Sequence, residues 1–415
     1  MYNACVYYRA TANSSINHMT AVPGKTSTST SSQSLTLDHH LDAVIETALV
    51  LNRIVGAVVM VAHRGDIVYQ SAAGFAERET RTLMQPDTVF RLASLTKPIV
   101  SAAALALVEQ GKISLDDPAT KWIPEFQPKL PDGSDAVISI RQLLTHTAGL
   151  SYSYFESVDG SYHQANISDG LDQPGLSITE NLQRLASVPL LYAPGTSFRY
   201  SLATDVLGEV VTRVENASLP RVTAALVTGP LRMQDTSFII QHPERLAMPY
   251  VNALPTPIRM QDHHLVPFPP GSGISFAPGR IFDPDSYPSA GAGMVGTAGD
   301  FVVFLEALRT GGAPILHRQT VEAMTANQTG DFVIDPRLPG WGFGFGAAIL
   351  RDPIAAQTPE SVGTYRWGGG YGHSWFVDPQ LDLTVVALTN TTTEGMAGVF
   401  PLAIRDAVYR VISSS

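Results

Sequence analysis

Apolar positions near the start of the chain recur first with the period of an amphipathic helix and then with that of β-strands. In LDHHLDAVIETALVL, which begins at Leu37, the apolar residues fall on one helical stripe, with Asp38 as a candidate N-cap. The next run, GAVVMVAHRGDIVYQSAAG, has two β-rich segments on either side of His63–Asp66, which is typical of a hairpin. A further helical pattern predicts a helix over residues 94–110 that Gly111 terminates.

The pattern changes between the two ends of the chain. From residue 116 to residue 287, helical segments alternate with loops rich in proline and glycine, and the chain then returns to β-rich runs and a terminal helix, PLAIRDAVYRVI. We therefore predict an α+β fold, in which a mainly antiparallel sheet is flanked by terminal helices and carries a largely helical insertion. The predicted parts are a disordered extension (1–36), an α/β domain (37–115 and 288–415) and a largely helical domain (116–287).

Composition and charge narrow the class of protein. The 415 residues are 44% hydrophobic and 15% charged, and the formal net charge of −10 disfavours nucleic acid and anionic membranes as partners. Cys5 is the single cysteine, so neither an intramolecular disulfide nor a cysteine-based metal site is expected. No apolar run approaches the ~18 residues of a membrane span. Since the N-terminus also lacks the pattern of a secretory signal, we expect a soluble, cytoplasmic protein.

Several short motifs resemble cofactor or metal sites, but their context argues against that assignment. GAGMVG, residues 291–296, matches a dinucleotide fingerprint, yet a loop precedes it, so we predict a glycine-rich turn that feeds a helix. His39–His40 and His263–His264 lack the helical spacing of a zinc site and are expected at the surface. The absence of G-x-S-x-G argues against an α/β-hydrolase nucleophile. We therefore expect neither a metal nor a cofactor.

The segment RLASLTKPIV contains a candidate nucleophile and its base. Ser94 and Lys97 are three residues apart and share one helical face, so the amine can reach the hydroxyl. A serine hydroxyl needs such a base to become a good nucleophile, and the unpaired N–H of Ser94 at the helix start can donate to an oxyanion. A capping serine beside a solvated lysine has the same spacing, so this motif alone leaves both interpretations open.

Two later segments could complete such a site. Tyr200, in RYSLATDVLG, follows a Pro-Gly turn and opens a predicted helix, where a phenol can relay protons; an ordinary half-buried core tyrosine fits as well. RWGGGYGHSW, residues 366–375, is either a structural hairpin with aromatic side chains over glycines or a strand edge whose backbone N–H groups reach a ligand. A phosphate cradle is disfavoured because no lysine or helix start accompanies these glycines.

Together these segments resemble the serine β-lactamase and penicillin-binding protein superfamily, and most of all its family VIII carboxylesterases of the esterase B type. RLASLTKPIV, HTAGL, YSLATDVLG and YGHSWFVD carry the resemblance, which extends from about residue 38 to about residue 412. Family VIII esterases have W-G-G where lactamases have K-T-G, and Trp367-Gly368-Gly369 stands in that place. The resemblance implies the β-lactamase/transpeptidase-like version of the α+β fold.

The resemblance also implies a role for each matching residue. Ser94 would be the acylated nucleophile, and Lys97 and Tyr200 would share the base and acid roles, with the identity of the base left open. The N–H groups of Ser94 and Gly370 would form the oxyanion hole. The residues expected to contact the substrate are Trp367, Gly368, Gly369 and Tyr152.

The chain departs from the lactamase pattern in two places. Leu202 replaces the usual asparagine of the middle motif, and Trp367 replaces the lysine that holds a substrate carboxylate. We therefore expect a serine carboxylesterase that hydrolyses small, short-chain esters through an acyl-enzyme, with weak β-lactam hydrolysis toward cephalosporins. The alternatives are a β-lactamase or D,D-peptidase, an acyltransferase, and a penicillin-recognising binding protein that does not turn over.

Overall fold

An eight-stranded antiparallel sheet forms the centre of the protein, whose computed structural model describes residues 30–269 and 271–413. In chain order the strands are β1 (Gly56–His63), β2 (Asp66–Glu77), β3 (Thr82–Leu83), β4 (Phe90–Arg91), β5 (Tyr250–Val251), β6 (Ile258–Arg259), β7 (His264–Val266), β8 (Ile274–Phe276), β9 (Val295–Gly296), β10 (Trp341–Phe343), β11 (Ala348–Leu350), β12 (Tyr365–Gly369), β13 (His373–Asp378), β14 (Leu383–Thr389) and β15 (Thr391–Thr392). The large sheet has the order β10-β11-β12-β13-β14-β1-β2-β3. The C-terminal strands therefore join the N-terminal hairpin through the β14–β1 pair.

Helices cover both faces of this sheet and build a lobe beside it. In chain order they are α1 (Thr30–Val50), α2 (Thr96–Glu109), α3 (Ile140–Leu144), α4 (Ser161–Gln164), α5 (Ile178–Ala186), α6 (Ala203–Glu215), α7 (Leu219–Thr223), α8 (Ala298–Arg309), α9 (Arg318–Met324), α10 (Glu394–Ala397) and α11 (Val399–Ile412). Turns of 3-10 helix lie at Ala93–Leu95, Ala119–Lys121, Ser153–Phe155, Pro243–Arg245 and Pro278–Phe282, and a π-helical turn lies at Ala224–Thr228. In the part of the chain that the structure describes, none of the helices combines the length and apolarity needed to span a bilayer.

Strand β1 is buried on both faces, which accounts for its uninterrupted apolar sequence. Successive side chains of a strand point to opposite faces of the sheet. Ala57, Val59 and Val61 pack into one core cluster with residues of α1 and α11, while the residues between them pack into a larger cluster with α2 and α8. The predicted hairpin is confirmed, with β1 and β2 joined at His63–Asp66.

The two ends of the described chain close one face of the sheet. Helices α1 and α11 pack against each other and against β1, and their apolar stripes are buried through Leu41, Ile45, Ile404 and Val408. The stripe predicted for the first helix thus faces the core. The predicted α+β fold, with an antiparallel sheet flanked by terminal helices, is confirmed.

Helix α2 runs through the interior between the sheet and the helical lobe. All of its residues from Thr96 to Leu107 are buried, and it contacts α6 and α7 of the lobe. The helix predicted over residues 94–110 is confirmed, with a 3-10 turn, Ala93–Leu95, before the first α-helical residue. A polar group on the first turn of α2 is therefore held away from bulk water.

The predicted organisation and the structure differ in two respects. Helix α1 begins at Thr30, so residues 30–36 are helical, whereas the sequence placed them in a disordered extension; residues 1–29 lie outside the described residues. The serine-rich segment before Leu37 has no apolar period, which is why the pattern did not reveal this start. Residues 116–287 contain α3 to α7 but also long loops and the short strands β5 to β8. The division into domains stays a prediction.

We expect Phe301→Ala in α8 to destabilise the core beneath the sheet. The ring is fully buried and packs edge-on against Trp375 of β13, with ring centroids 5.7 Å apart. Removing a buried phenylalanine ring costs ~3–5 kcal/mol of unfolding free energy, which urea denaturation measures. The control, Val303→Ala, changes an exposed residue of the same helix and should cost less than ~0.5 kcal/mol. Equal losses in the two variants would contradict this packing.

Candidate active site

Ser94 lies on a sharp turn between strand β4 and the buried helix α2. Strand β4 pairs with β9, and the Leu92 N–H donates to the Met294 carbonyl at 2.8 Å. The next residue, Ala93, is buried and has φ = 48°, in the left-handed region that residues other than glycine seldom adopt. This bend takes the chain from the strand directly into the helix and places Ser94 at its first turn.

Lys97 is buried beside Ser94, with 1% of its surface exposed. Its Nζ donates to the Ser94 hydroxyl at 3.3 Å and to the Gly291 carbonyl at 2.7 Å. The same nitrogen lies 4.6 Å from the ring centroid of Tyr200 and 5.3 Å from that of Tyr152. Lys97 is therefore not a solvated surface lysine but a buried amine within hydrogen-bond reach of the Ser94 hydroxyl.

Gly291 belongs to GAGMVG, which the sequence predicts to be a glycine-rich turn that feeds a helix. The turn leads into β9 and then into α8, and it also supplies the carbonyl that accepts the hydrogen bond from Lys97. A Cβ at residue 291 would lie 2.6 Å from Asp205 Oδ2 and 3.4 Å from Lys97 Nζ. The backbone approaches these groups so closely that only glycine fits without a shift.

Asp205 is a buried carboxylate of α6 that the motif analysis missed. Its Oδ1 accepts a hydrogen bond from the Ser289 hydroxyl at 2.7 Å, and its Oδ2 faces Gly291. Burial raises the pKa of Asp205, and the Ser289 hydrogen bond and the charge of Lys97 partly offset that rise. Asp205 therefore places a carboxyl group beside the contact between Lys97 and Gly291.

The HTAGL segment fixes Tyr200 over Lys97. The His146 carbonyl accepts from the Arg199 N–H at 2.9 Å, and His146 Nδ1 accepts from the Ser201 N–H at 3.2 Å. Both neighbours of Tyr200 are thus held by one histidine, whose ring also packs on the Tyr200 ring with centroids 4.8 Å apart. Burial and the charge of Lys97 lower the pKa of His146 well below its usual value, so the imidazole is neutral.

The Tyr200 hydroxyl accepts a hydrogen bond from the indole of Trp367. The Nε1–oxygen distance is 3.0 Å, and the two ring centroids are 4.9 Å apart. The indole also packs edge-on against Phe343, with centroids 5.3 Å apart. An indole N–H can only donate, so the phenol oxygen is the acceptor here and its own proton stays available to another group.

The glycine-rich segment forms the hairpin between β12 and β13 and lies against the turn that carries Ser94. The Gly372 N–H donates to the Gly369 carbonyl at 2.9 Å. The Gly370 N–H belongs to the same peptide group as that carbonyl and points the opposite way, out of the turn. A Cβ on Gly369 would lie 2.6 Å from the Leu92 carbonyl. The segment is therefore both a hairpin and a direct neighbour of the Ser94 turn.

Tyr152 continues an aromatic wall that begins at Tyr200. These two ring centroids are 5.3 Å apart, and Tyr152 stacks on Tyr154 at 4.8 Å. Phe155 and Phe268 extend the wall away from Lys97. Burial raises the pKa of Tyr152 well above its usual value, so its phenol stays protonated. The wall therefore surrounds the buried amine with aromatic rings on one side.

Most of the predicted site residues come together around Lys97. Ser94, Tyr200 and Tyr152 contact Lys97 directly, and Trp367 contacts Tyr200. Gly368 is different, because a Cβ there would meet Met396 of α10 at 2.9 Å, on the other face of β12 from Gly369. The roles carried over from the resemblance stay predictions. His146 and Asp205 had no signal of their own, although HTAGL and YSLATDVLG, the segments that contain them, are among those that carry the resemblance.

The two histidine pairs lie outside this cluster. His39 and His263 are exposed and their neighbours are half-buried, so the predicted surface positions are confirmed. Within residues 30–269 and 271–413, no group of three or more histidine, cysteine or acidic side chains has the arrangement of a metal site.

Comparison with known proteins gives matches over most of the chain. The β-lactamase family model matches residues 41–408. Esterase EstB of Burkholderia gladioli is 50% identical over 371 residues, which cover 89% of this chain and 94% of that protein. The solved structure of EstCE1, described as a hydrolase with promiscuous acyltransferase activity, is 44% identical, with a TM-score of 0.88 over 91% of this chain and 99% of its own. The acyltransferase calJ of Penicillium decumbens is 27% identical over 76% of this chain and 79% of its length.

We expect Gly291→Ala to slow the labelling of Ser94 by a fluorophosphonate probe. The new Cβ would lie 2.6 Å from Asp205 Oδ2, so the carbonyl that holds Lys97 must move. A misplacement of about 1 Å at a reacting group costs on the order of 10²-fold in rate. Gly299→Ala is the control, because the nearest atom to its Cβ would be 3.9 Å away. If both variants label at the wild-type rate, the Lys97–Gly291 hydrogen bond is not needed for the reactivity of Ser94.

Proposed function

Because the chain belongs to the β-lactamase family, whose model covers residues 41–408, we propose that it is a serine carboxylesterase of the family VIII type. Its substrates are small carboxylic esters, and Ser94 carries the acyl intermediate. Relatives described as an esterase, at 50% identity, and as a hydrolase, at 44% identity, support ester hydrolysis. The observation that carries the proposal is that the Nζ of the buried Lys97 lies 3.3 Å from the hydroxyl of the half-buried Ser94.

In acylation, the Ser94 oxygen attacks the carbonyl carbon of the ester. Its proton passes to Lys97, directly or through Tyr200, while the carbonyl electron pair moves onto the oxygen. The N–H groups of Ser94 and Gly370 stabilise this oxyanion. The intermediate then collapses: the bond to the alcohol oxygen breaks, and the alcohol leaves with the proton that the base returns.

In deacylation, a water molecule takes the place of the alcohol and the same groups act in reverse. Tyr200 is suited to activate this water because the Trp367 N–H fixes its oxygen at 3.0 Å and leaves the phenol proton free to move. As the water attacks the acyl carbon it gives a proton to Tyr200, which passes its own proton to Lys97. Ser94 recovers a proton by the reverse path when its bond to the acyl carbon breaks and the acid departs.

Trp367 favours neutral esters over β-lactams that carry a carboxylate. A lactamase places a lysine here, whereas this chain has no lysine after Lys129. The indole packs on Tyr200 and Phe343, and its N–H is already engaged. A carboxylate placed against this ring would lose its hydrating water molecules and would gain no positively charged side chain in their place. Short-chain esters are therefore the proposed substrates, and hydrolysis of cephalosporins is expected to be weak.

Acyl transfer to an alcohol would use the same acyl-enzyme, with the alcohol in place of water. We rank it below hydrolysis because the 50% identical relative is described as an esterase, and a solved structure at 44% identity is described as a hydrolase whose transferase activity is promiscuous. A cytoplasmic location, the independence from cofactors and the lack of nucleic-acid or membrane partners are further parts of this proposal that rest on the sequence.

We expect Ser94→Ala to abolish turnover of p-nitrophenyl butyrate, with a loss on the order of 10⁶-fold in kcat, as for other serine nucleophiles. Ser101→Ala, at a buried serine of α2, is the control and should keep wild-type turnover. Intact mass should show one fluorophosphonate adduct on the wild type and none on Ser94→Ala. A stable butyryl adduct without turnover would indicate a binding protein, and faster hydrolysis of nitrocefin a lactamase. Undiminished turnover in Ser94→Ala would overturn the proposal.

We expect Trp367→Phe to lower kcat by about 10-fold, because the Tyr200 oxygen loses a hydrogen bond worth ~1 kcal/mol or slightly more while the apolar wall remains. Trp375→Phe is a matched control on the paired strand, where the indole N–H has no acceptor within the described residues. Its kcat on p-nitrophenyl butyrate should match the wild type. The same loss in both variants would mean that packing, and not the hydrogen bond to Tyr200, sets the rate.

A further inference from the structure

His373 joins the hairpin after β12 to the strand that leads to Ser94. It is the first residue of β13 and is 1% exposed. Its Nε2 lies 2.8 Å from the Arg91 carbonyl oxygen, and its ring packs edge-on against Phe90 with centroids 5.6 Å apart. The histidine thus contacts both residues of β4.

The chemistry of this contact fixes the proton of the imidazole. Burial lowers the pKa of His373 to about 4, so the ring is neutral at the pH of an ordinary esterase assay. A neutral imidazole carries one proton, and the Arg91 carbonyl can only accept, so the proton is on Nε2. In the hydrogen bond to Arg91, His373 Nε2 is therefore the donor and the carbonyl oxygen is the acceptor.

The two ends of this hydrogen bond stand at equal distances along the chain from the two proposed oxyanion donors. Arg91 precedes Ser94 by three residues, and His373 follows Gly370 by three residues. The span from Arg91 to Ser94 contains the start of the 3-10 turn, where Ala93 lies in the left-handed region. The span from Gly370 to His373 contains the turn closed by the hydrogen bond from the Gly372 N–H to the Gly369 carbonyl. Short, bent spans of this kind transmit the position of one end to the other.

The imidazole also fills the space between the two segments. A Cβ on Gly369 would lie 3.0 Å from His373 Cδ2 and 2.6 Å from the Leu92 carbonyl. The ring, the glycine and the carbonyl are therefore in contact with no room for another atom. On its other side, the Ser94 segment is held by the hydrogen bond from Leu92 to Met294. His373 supplies the hydrogen bond that holds the segment on the side of the hairpin.

We propose that His373 is a positioning residue that sets the separation of the Ser94 and Gly370 N–H groups, and so the geometry of the oxyanion hole. This inference rests on the proposed function, since it needs an oxyanion at that place. His373 touches neither the substrate nor the reacting atoms; it acts through the Arg91 carbonyl.

The test compares His373→Leu, which removes the donor, with His373→Gln, whose side-chain amide nitrogen can take the place of Nε2. On p-nitrophenyl butyrate we expect kcat of the leucine variant to fall on the order of 10²-fold, as for a displaced oxyanion donor, with KM changed less than about 3-fold. The inhibition constant of phenylboronic acid, which forms a tetrahedral adduct with the serine, should rise in parallel with the loss of kcat. The glutamine variant should recover most of both losses.

Tyr409→Phe is the control for a purely structural effect. It removes another buried hydrogen bond of β13, from the Tyr409 hydroxyl to Asp378 at 2.6 Å, at the far end of the strand. It should lower the melting temperature and leave kcat and boronate inhibition unchanged. If His373→Leu does not fold, His373→Asn replaces it, since its shorter amide does not reach the Arg91 carbonyl.

The outcomes separate this inference from the proposed function. If Ser94→Ala is inactive while the folded leucine or asparagine variant keeps kcat within about 3-fold of the wild type, the positioning role is wrong and the esterase proposal stands. If Tyr409→Phe loses as much kcat as His373→Leu, or if the glutamine variant recovers nothing, the effect is one of general stability and the inference is also wrong. If Ser94→Ala keeps its turnover, the proposed function fails and the inference fails with it.

Discussion

Burial of the Lys97 amine is the constraint on which the rest of the site depends. Moving an amine out of water is costly unless its donors are paired and any charge is balanced. Here the Gly291 carbonyl and the Ser94 hydroxyl accept from it, two aromatic rings lie over it, and Asp205 stands close by. In the proposed mechanism several of these groups also take part in the reaction. The contacts that stabilise the buried lysine are then the same contacts that make the serine reactive.

The residues that make these contacts come from distant parts of the sequence. The 3-10 turn before α2 carries Ser94 and α2 carries Lys97. The loop before β9 supplies Gly291, and the lobe supplies Tyr200 and Tyr152. The sheet adds Trp367 through its hydrogen bond to Tyr200. Because the sheet and the lobe each provide only some of the groups, the site exists only when both are packed against α2. This explains why α2 is buried along nearly its whole length.

Much of this arrangement could be predicted from the sequence, because local patterns carry it. Apolar periodicity predicted the hairpin and α2, and the spacing of Ser94 and Lys97 predicted their contact. The contacts that the sequence did not predict are made by backbone atoms, or by side chains whose positions along the chain follow no motif. Gly291 acts through a carbonyl, and His373 through a hydrogen bond to Arg91, across most of the chain. The ordered start of α1 at Thr30 escaped because its sequence is polar.

The pairing of β1 with β14 has a consequence for how the protein is made. Ala57 lies opposite Thr389, so a strand near the start of the chain finds one of its two neighbours only near the end. Until the C-terminal strands have left the ribosome, the edge of β1 that pairs with β14 has no partner strand. An apolar strand with an unpaired edge tends to self-associate. Protection of the nascent chain by a chaperone, or fast completion of synthesis, therefore matters more for this topology than for one whose sheet closes locally.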